Sequence, residues 1–222
     1  MRLVSALLLA TLACAGCQEK SAAPAASGGQ AASAPAAAPA PAFTNTDVTG
    51  LGYAHDFALK DFNGTPRTMA DFKGKAVVIF FGYTQCPDVC PTTMHDLAEA
   101  MKQLGPQSDK VQVLFVTVDP ERDTPKLLSQ YVPAFDKRFL GLTGTLPEID
   151  QTAKDFHVYY QKVPGKTPGS YSMDHTSGLY MYDPEGRIRV FAGNTAPLDP
   201  IVHDLKILLA EPITPPAPTA KA

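Results

Sequence analysis

Cys86 and Cys90 are the only cysteines beyond the first 17 residues, and they stand in Gly82-Tyr-Thr-Gln-Cys-Pro-Asp-Val-Cys-Pro, directly after the apolar run 76–81. His175 stands in Tyr171-Ser-Met-Asp-His-Thr-Ser, just before a second apolar run. Two thiols at the tip of one strand and an imidazole ahead of another form a donor set suited to a soft metal ion. Without the histidine, the same dithiol would be an ordinary redox pair. The C-x3-C spacing lies within the usual range for chelation, and a helical turn between cysteines four apart brings both sulfurs to one side. Pro87 and Pro91 stiffen the loop. Pro91 suits a first helical turn, which places Cys90 at a helix N-terminus, where the macrodipole is expected to lower its thiol pKa. A thiolate there is both a better ligand and a better nucleophile, so this feature leaves the two roles open.

Three acidic residues could support such a site. Asp119 and Asp123 lie in Asp-Pro-Glu-Arg-Asp-Thr-Pro after a second strand-like run, at the sheet edge where sites gather in parallel structures. Asp119 is a candidate supporting group or weak extra ligand, and Asp174 a candidate for orienting His175. The competing reading is turn chemistry: Asp before Pro at 119, and a helix cap at 123. Asp88, between the cysteines, reads as a solvated loop residue. His95 falls on the exposed side of a helix, and His55, His157 and His203 have no paired neighbour. Met173 is a possible thioether contact but reads first as core, as do Met94 and Met101.

These residues need elements to position them. Residues 56–69 read as a hairpin around Asn63-Gly64. The uninterrupted apolar run 76–81 is expected of a strand buried on both faces. Residues 91–104 carry Met94, Leu97, Ala98, Met101 and Leu104 at helical spacing. A strand is expected over 111–118. A helix over 124–132 opens with Thr124 as cap and Pro125 at the first helical position. A helix over 146–156, a short strand over 158–161, a hairpin of 178–182 and 188–191 around Asp183-Pro-Glu-Gly, and a closing helix over 198–209 complete the pattern. The alternation predicts an α/β sandwich with a mixed sheet.

The ends of the chain read differently. Arg2, an apolar stretch over 3–15 and then Ala15-Gly16-Cys17 form a secretory signal too short for a convincing membrane span. The small residues before Cys17 resemble a bacterial lipobox, which makes 1–16 a signal peptide and Cys17 the acylated residue; Cys14 is the weaker acceptor. In residues 18–42, 16 of 25 are Ala or Pro, so no core offsets the entropy of ordering. Residues 17–42 are expected to be a disordered tether, reaching about 75 Å if extended and about 30 Å as a coil. Residues 43–211 are long enough for one domain with a real core, and 212–222, with four prolines, read as a tail. The formal charge of −3 and the lack of a basic run exclude an electrostatic nucleic-acid footprint.

A dithiol at the end of a central strand and the start of a helix looks like the thioredoxin fold: α/β, a central mixed sheet flanked by helices, here with an N-terminal hairpin extension. The strings F-F-G-Y-T-Q-C-P-D-V-C-P, V-T-V-D-P-E-R-D-T-P and D-H-T-S-G-L-Y-M-Y-D-P-E-G, in that order, resemble the Sco/SenC family of copper-binding proteins over about residues 52–209. That resemblance implies a membrane-tethered domain binding copper through Cys86, Cys90 and His175 and serving assembly of the dinuclear copper centre of cytochrome c oxidase. The implied partners are a copper-accepting oxidase subunit, an upstream thiol reductant or copper donor, and a membrane reached through the lipid anchor on the periplasmic face of a bacterial envelope. The donor set agrees, since thiolates favour Cu(I) and imidazole suits either oxidation state.

Other readings remain open. Thioredoxin-like oxidoreductases carry a cis-proline before the strand facing the dithiol, whereas residues 171–183 contain no proline and place Asp174-His175-Thr176 there. The dithiol is still able to serve as a thiol–disulfide reductase for the oxidase, or as a copper- or redox-sensing module. Zinc fits less well, because structural zinc usually takes four protein ligands. A peroxiredoxin is disfavoured because Thr84 lies only two residues before Cys86. Outside the cytoplasm the dithiol would tend to oxidise, which is why a reductant is implied.

Overall fold

The computed structural model describes residues 42–210. The signal peptide 1–16, Cys14, Cys17, the tether 17–42 apart from its last residue, and the tail 212–222 lie outside the described residues. In chain order the elements are β1 (Thr46–Asp47), β2 (Leu59–Asp61), β3 (Pro66–Arg67), β4 (Ala76–Gly82), α1 (Val89–Leu104), β5 (Val111–Thr117), α2 (Pro125–Tyr131), β6 (Leu140–Thr143), α3 (Leu146–Asp155), β7 (Tyr160–Pro164), β8 (Tyr171–His175), β9 (Gly178–Tyr182), β10 (Ile188–Gly193) and α4 (Leu198–Ala210). Among the described residues no helix is long and apolar enough to cross a membrane.

Eight strands form one mixed sheet in the order β1-β10-β9-β4-β5-β6-β2-β3. β4, β5 and β6 run parallel, while β9 lies antiparallel to β4. Every residue of β4 is buried, as its uninterrupted apolar run requires of a strand covered on both faces. Successive side chains point to opposite faces. Phe80 meets Leu97 of α1 and Ile201 of α4 around one small cavity, whereas Phe81 packs on Phe156 and Tyr180. The apolar stripe of α1 is buried as the periodicity predicts. Thr124 caps α2, accepting from the Leu127 amide, with Pro125 beside it. The β2–β3 hairpin turns at Asn63-Gly64, with Gly64 at φ +83°, and extends the sheet beyond β6. Its buried Asp61 carboxylate accepts from the Asn63 and Thr65 amides and from Arg67.

The short strand expected over 158–161 is β7, and it pairs antiparallel with β8, Tyr160 opposite His175. This pair is a separate two-stranded sheet, not bonded into the eight-stranded one. β1, β6 and β8 are additions to the sequence reading.

The topology brings the candidate residues to one edge. β4 and β5 end together, Gly82 level with Thr117, and the Val118 amide donates to the Gly82 carbonyl. The cysteine loop and the Asp119–Asp123 turn therefore leave the sheet side by side. β9 runs the other way, with Leu179 level with Phe80, so β8, just before it, delivers His175 to the same edge.

Candidate metal centre

Cys90 is the second residue of α1 and fully buried. It packs over Gly82, where an added Cβ would lie 3.0 Å from its sulfur. The Nε2 of His175 faces that sulfur at 3.9 Å. On the other side of the ring, Nδ1 lies 3.0 Å from the Thr176 carbonyl. A carbonyl only accepts, so Nδ1 carries the proton and the neutral ring leaves the Nε2 lone pair directed at Cys90. Burial lowers the basicity of His175 below that of an ordinary histidine, against smaller opposing effects of Thr176 and Asp174. The Tyr83 ring stands edge-on to the imidazole, with centroids 6.0 Å apart.

Cys90 starts a helix as expected, but its sulfur is not in the environment expected of it. Burial pushes the Cys90 thiol well above the usual range, only partly offset by a hydrogen bond from the Tyr83 backbone. The expectation of a lowered thiol is overturned, because burial removes the thiolate from water. The helix-terminal amide goes to the other cysteine: the Cys90 N–H donates to the Cys86 sulfur at 3.4 Å. Cys86 is half-buried and Cys90 buried, and both are free thiols. Among the described residues no group of three His, Cys, Asp or Glu side chains is arranged to hold a metal ion as it stands. Cys90 and His175 are opposed, while Cys86 is turned to the helix amide.

The acidic residues divide between the roles expected of them and others. Asp174 is exposed, and the Thr176 carbonyl, not the Asp174 carboxylate, fixes the imidazole. Asp119 is buried and bonded to Arg122 and to the Tyr171 hydroxyl, which gives it the supporting place expected of it. Its backbone carbonyl closes the expected turn, accepting from Arg122 and Asp123. Asp123 is no helix cap, since Thr124 fills that role. Its fully buried carboxylate accepts from the Thr84 amide (3.0 Å), the Thr84 hydroxyl (2.6 Å) and the Thr117 hydroxyl (2.7 Å). This anchors the loop two residues before Cys86, and burial raises the Asp123 pKa. Asp88 and His95 are exposed, His157 stacks on Tyr53, and His203 lies by Asp204 on α4. Met94, Met101 and Met173 are core residues. Sequence reasoning passed over Arg122 and Tyr83, whose roles depend on contacts far apart in the chain, and over Thr176, whose carbonyl faces the ring of the residue before it.

A thioredoxin-like domain in which a histidine faces the dithiol is thus the class that fold and site define. The SCO1/SenC family model matches residues 48–210, and the chain belongs to that family. It is 36% identical over 153 residues to the mitochondrial SCO2 homolog of Mus musculus, covering 68% of this chain and 60% of that protein, so it spans about three-fifths of that relative's length. The solved structure of Bradyrhizobium japonicum ScoI with copper bound is 42% identical, with a TM-score of 0.62, covering 68% of this chain and 96% of that one. A SCO1/SenC family lipoprotein from Bacillus anthracis is 25% identical, with a TM-score of 0.60, covering 75% and 99%.

Proposed function

We propose that this domain binds copper as cargo through Cys86, Cys90 and His175 and passes it to a copper-accepting subunit of cytochrome c oxidase. The observation that carries this reading is the unprotonated Nε2 of His175 directed at the Cys90 sulfur. A structural or solvent-facing histidine has no need of that arrangement, whereas a sulfur–nitrogen site does. Cys86 completes the set by rotating its sulfur off the Cys90 amide, a movement its partial exposure permits. The copper bound to Bradyrhizobium ScoI supports the choice of metal, and the oxidase end of the route rests on the family resemblance. Acylation at Cys17 and a 17–42 tether would hold the domain at the periplasmic face of a bacterial membrane, in keeping with the lipoprotein relative. An upstream reductant or copper donor would keep the dithiol ready.

The test is an anaerobic competition titration of copper into the reduced full-length protein and its His175→Ala variant. One tight equivalent that depends on His175 supports the reading. Weak binding indifferent to His175, with the dithiol still reactive, overturns it in favour of a thiol–disulfide reductase. A half-exposed Cys86 sulfur on a helix-terminal amide, backed by the buried Cys90, is the feature that favours that second reading.

A further inference from the structure

The β7–β8 hairpin that carries His175 takes no part in the main ladder; β9 brings His175 to the right edge, the Met173 backbone bonds to Tyr83, and side chains hold the rest of the hairpin against the dithiol. One end is held by the Tyr160 hydroxyl, which donates to Asp150 of α3. The other strand is held by Arg122, from the turn after β5. Its Nη1 donates to the Tyr171 carbonyl at 2.8 Å and reaches Gln85 Oε1, next to Cys86, at 3.3 Å. Its Nε bonds to the buried Asp119, and Asp119 in turn accepts from the Tyr171 hydroxyl at 2.9 Å. Asp119 and Arg122 therefore grip Tyr171 by both its hydroxyl and its carbonyl.

The guanidinium also lies between two rings, 3.6 Å from the centroid of Tyr171 and 5.7 Å from that of Tyr83. Tyr83 is the ring that stands edge-on to His175, so one cation touches the cysteine loop, the histidine strand and the ring between them. A planar fork that stacks and donates in several directions suits this task, and a lysine does not. The neighbouring Lys162 pairs with Glu121 at 2.6 Å and lies 4.9 Å from the centroid of the Tyr171 ring, but it is about half exposed and makes no contact with the cysteine loop among the described residues, so it contributes little.

We infer that Arg122 is a positioning residue: it holds the β7–β8 hairpin to the cysteine loop and thereby sets His175 opposite Cys90. In its effect on copper the inference rests on the metal reading above; its geometric part does not. Loss of a group that orients a ligand commonly weakens metal binding about 10- to 100-fold. If Arg122 acts through His175, that loss appears in the wild-type background and vanishes where His175 is already gone.

The test uses full-length Arg122→Met and Arg122→Lys, each alone and combined with His175→Ala, with Lys162→Ala as the control. The expected result is a 10- to 100-fold loss of copper affinity from either Arg122 substitution, falling to about twofold or less in the His175→Ala background. Where His175→Ala by itself weakens copper binding, equal losses in both backgrounds, or none in either, overturn the inference. Arg122→Lys keeps the charge and most of the stem, and serves if Arg122→Met does not fold. The ring resonances of His175 in the metal-free protein give an independent readout. They should shift in Arg122→Lys and stay in place in Lys162→Ala. Unchanged resonances in Arg122→Lys overturn the inference whatever the copper result. Shifted resonances in a protein that binds no copper through His175 uphold the positioning and remove the proposed function alone.

Discussion

The Cys90 sulfur and the Nε2 of His175 face each other at 3.9 Å although 85 residues separate them in the chain. Their protonation is complementary. Burial keeps the proton on Cys90 throughout the neutral range and lowers the basicity of His175, while the Thr176 carbonyl holds the ring proton on the far nitrogen. On the proposed function, copper would therefore meet a ready nitrogen but have to displace a proton from sulfur. Since binding releases that proton, lower acidity favours it. Apparent copper affinity is expected to rise at least about tenfold per pH unit from pH 6 to 8, in competition titrations corrected for the competitor's own protonation. A flat profile would exclude Cys90 as a ligand.

Exposure orders the two thiols. Cys86 is half-buried and Cys90 fully buried, and access to the sulfur governs modification as much as its ionisation does. In the reduced, metal-free protein an alkylating reagent should modify Cys86 first, with Cys90 at least about tenfold slower. Cys86→Ser should leave a nearly unreactive protein. Peptide mapping after partial labelling reads the order, and Cys90 labelling first would reverse the roles assigned to the two sulfurs.

Asp123 holds the cysteine loop from beneath. Asp123→Ala leaves the Thr84 amide, the Thr84 hydroxyl and the Thr117 hydroxyl without their acceptor, which should cost about 2–4 kcal/mol. Asp123→Asn keeps an acceptor, and burial already disfavours the charge, so about 1–2 kcal/mol is expected. Urea unfolding of the metal-free proteins checks both values. A loss under about 0.5 kcal/mol in the alanine variant would mean the network does not anchor the loop.

What could be read from the chain divides along the range of the interactions. β4, the α1 stripe, the Thr124-Pro125 start of α2 and the Asn63-Gly64 turn are local, set by periodicity or by residues within a turn of one another. The facing of Cys90 and His175 was anticipated by residue type and family resemblance, whereas the turn of the Cys86 sulfur to the Cys90 amide was not. β6 and β8 escaped notice because neither has a marked pattern of its own. Leu140–Thr143 becomes a strand by docking on β5 and β2, and Tyr171–His175 by pairing with β7. Asp123 and Thr84 lie 39 residues apart, and Arg122 and Tyr171 lie 49 apart; no local pattern marks either pair. The ionisation of Cys90 was misjudged because its place at a helix start is local, while its burial is tertiary.

Gly82 ties the core to the site and gives the sharpest separation of stability from binding. An alanine Cβ there would lie 2.9 Å from Phe115 Cε2, 3.0 Å from Phe80 Cε1 and 3.0 Å from the Cys90 sulfur. Phe80 and Phe115 are fully buried in the centre of the sheet, so relieving the contact means moving packed rings. Overpacking of this kind costs about 1–3 kcal/mol, and part of the displacement falls on Cys90, moving its sulfur relative to His175. Gly82→Ala should therefore lower both stability and copper affinity. Leu205→Ala, which opens a cavity under α4 in a fully buried position, should cost about 2–5 kcal/mol yet leave affinity within about twofold, because distant sites act independently. Urea midpoints and copper competition on the same preparations decide it. Affinity loss in both variants would mean that binding tracks overall stability. Loss in Gly82→Ala alone would mean that the bare backbone at the end of β4 is what admits the Cys90 sulfur to its place opposite the imidazole.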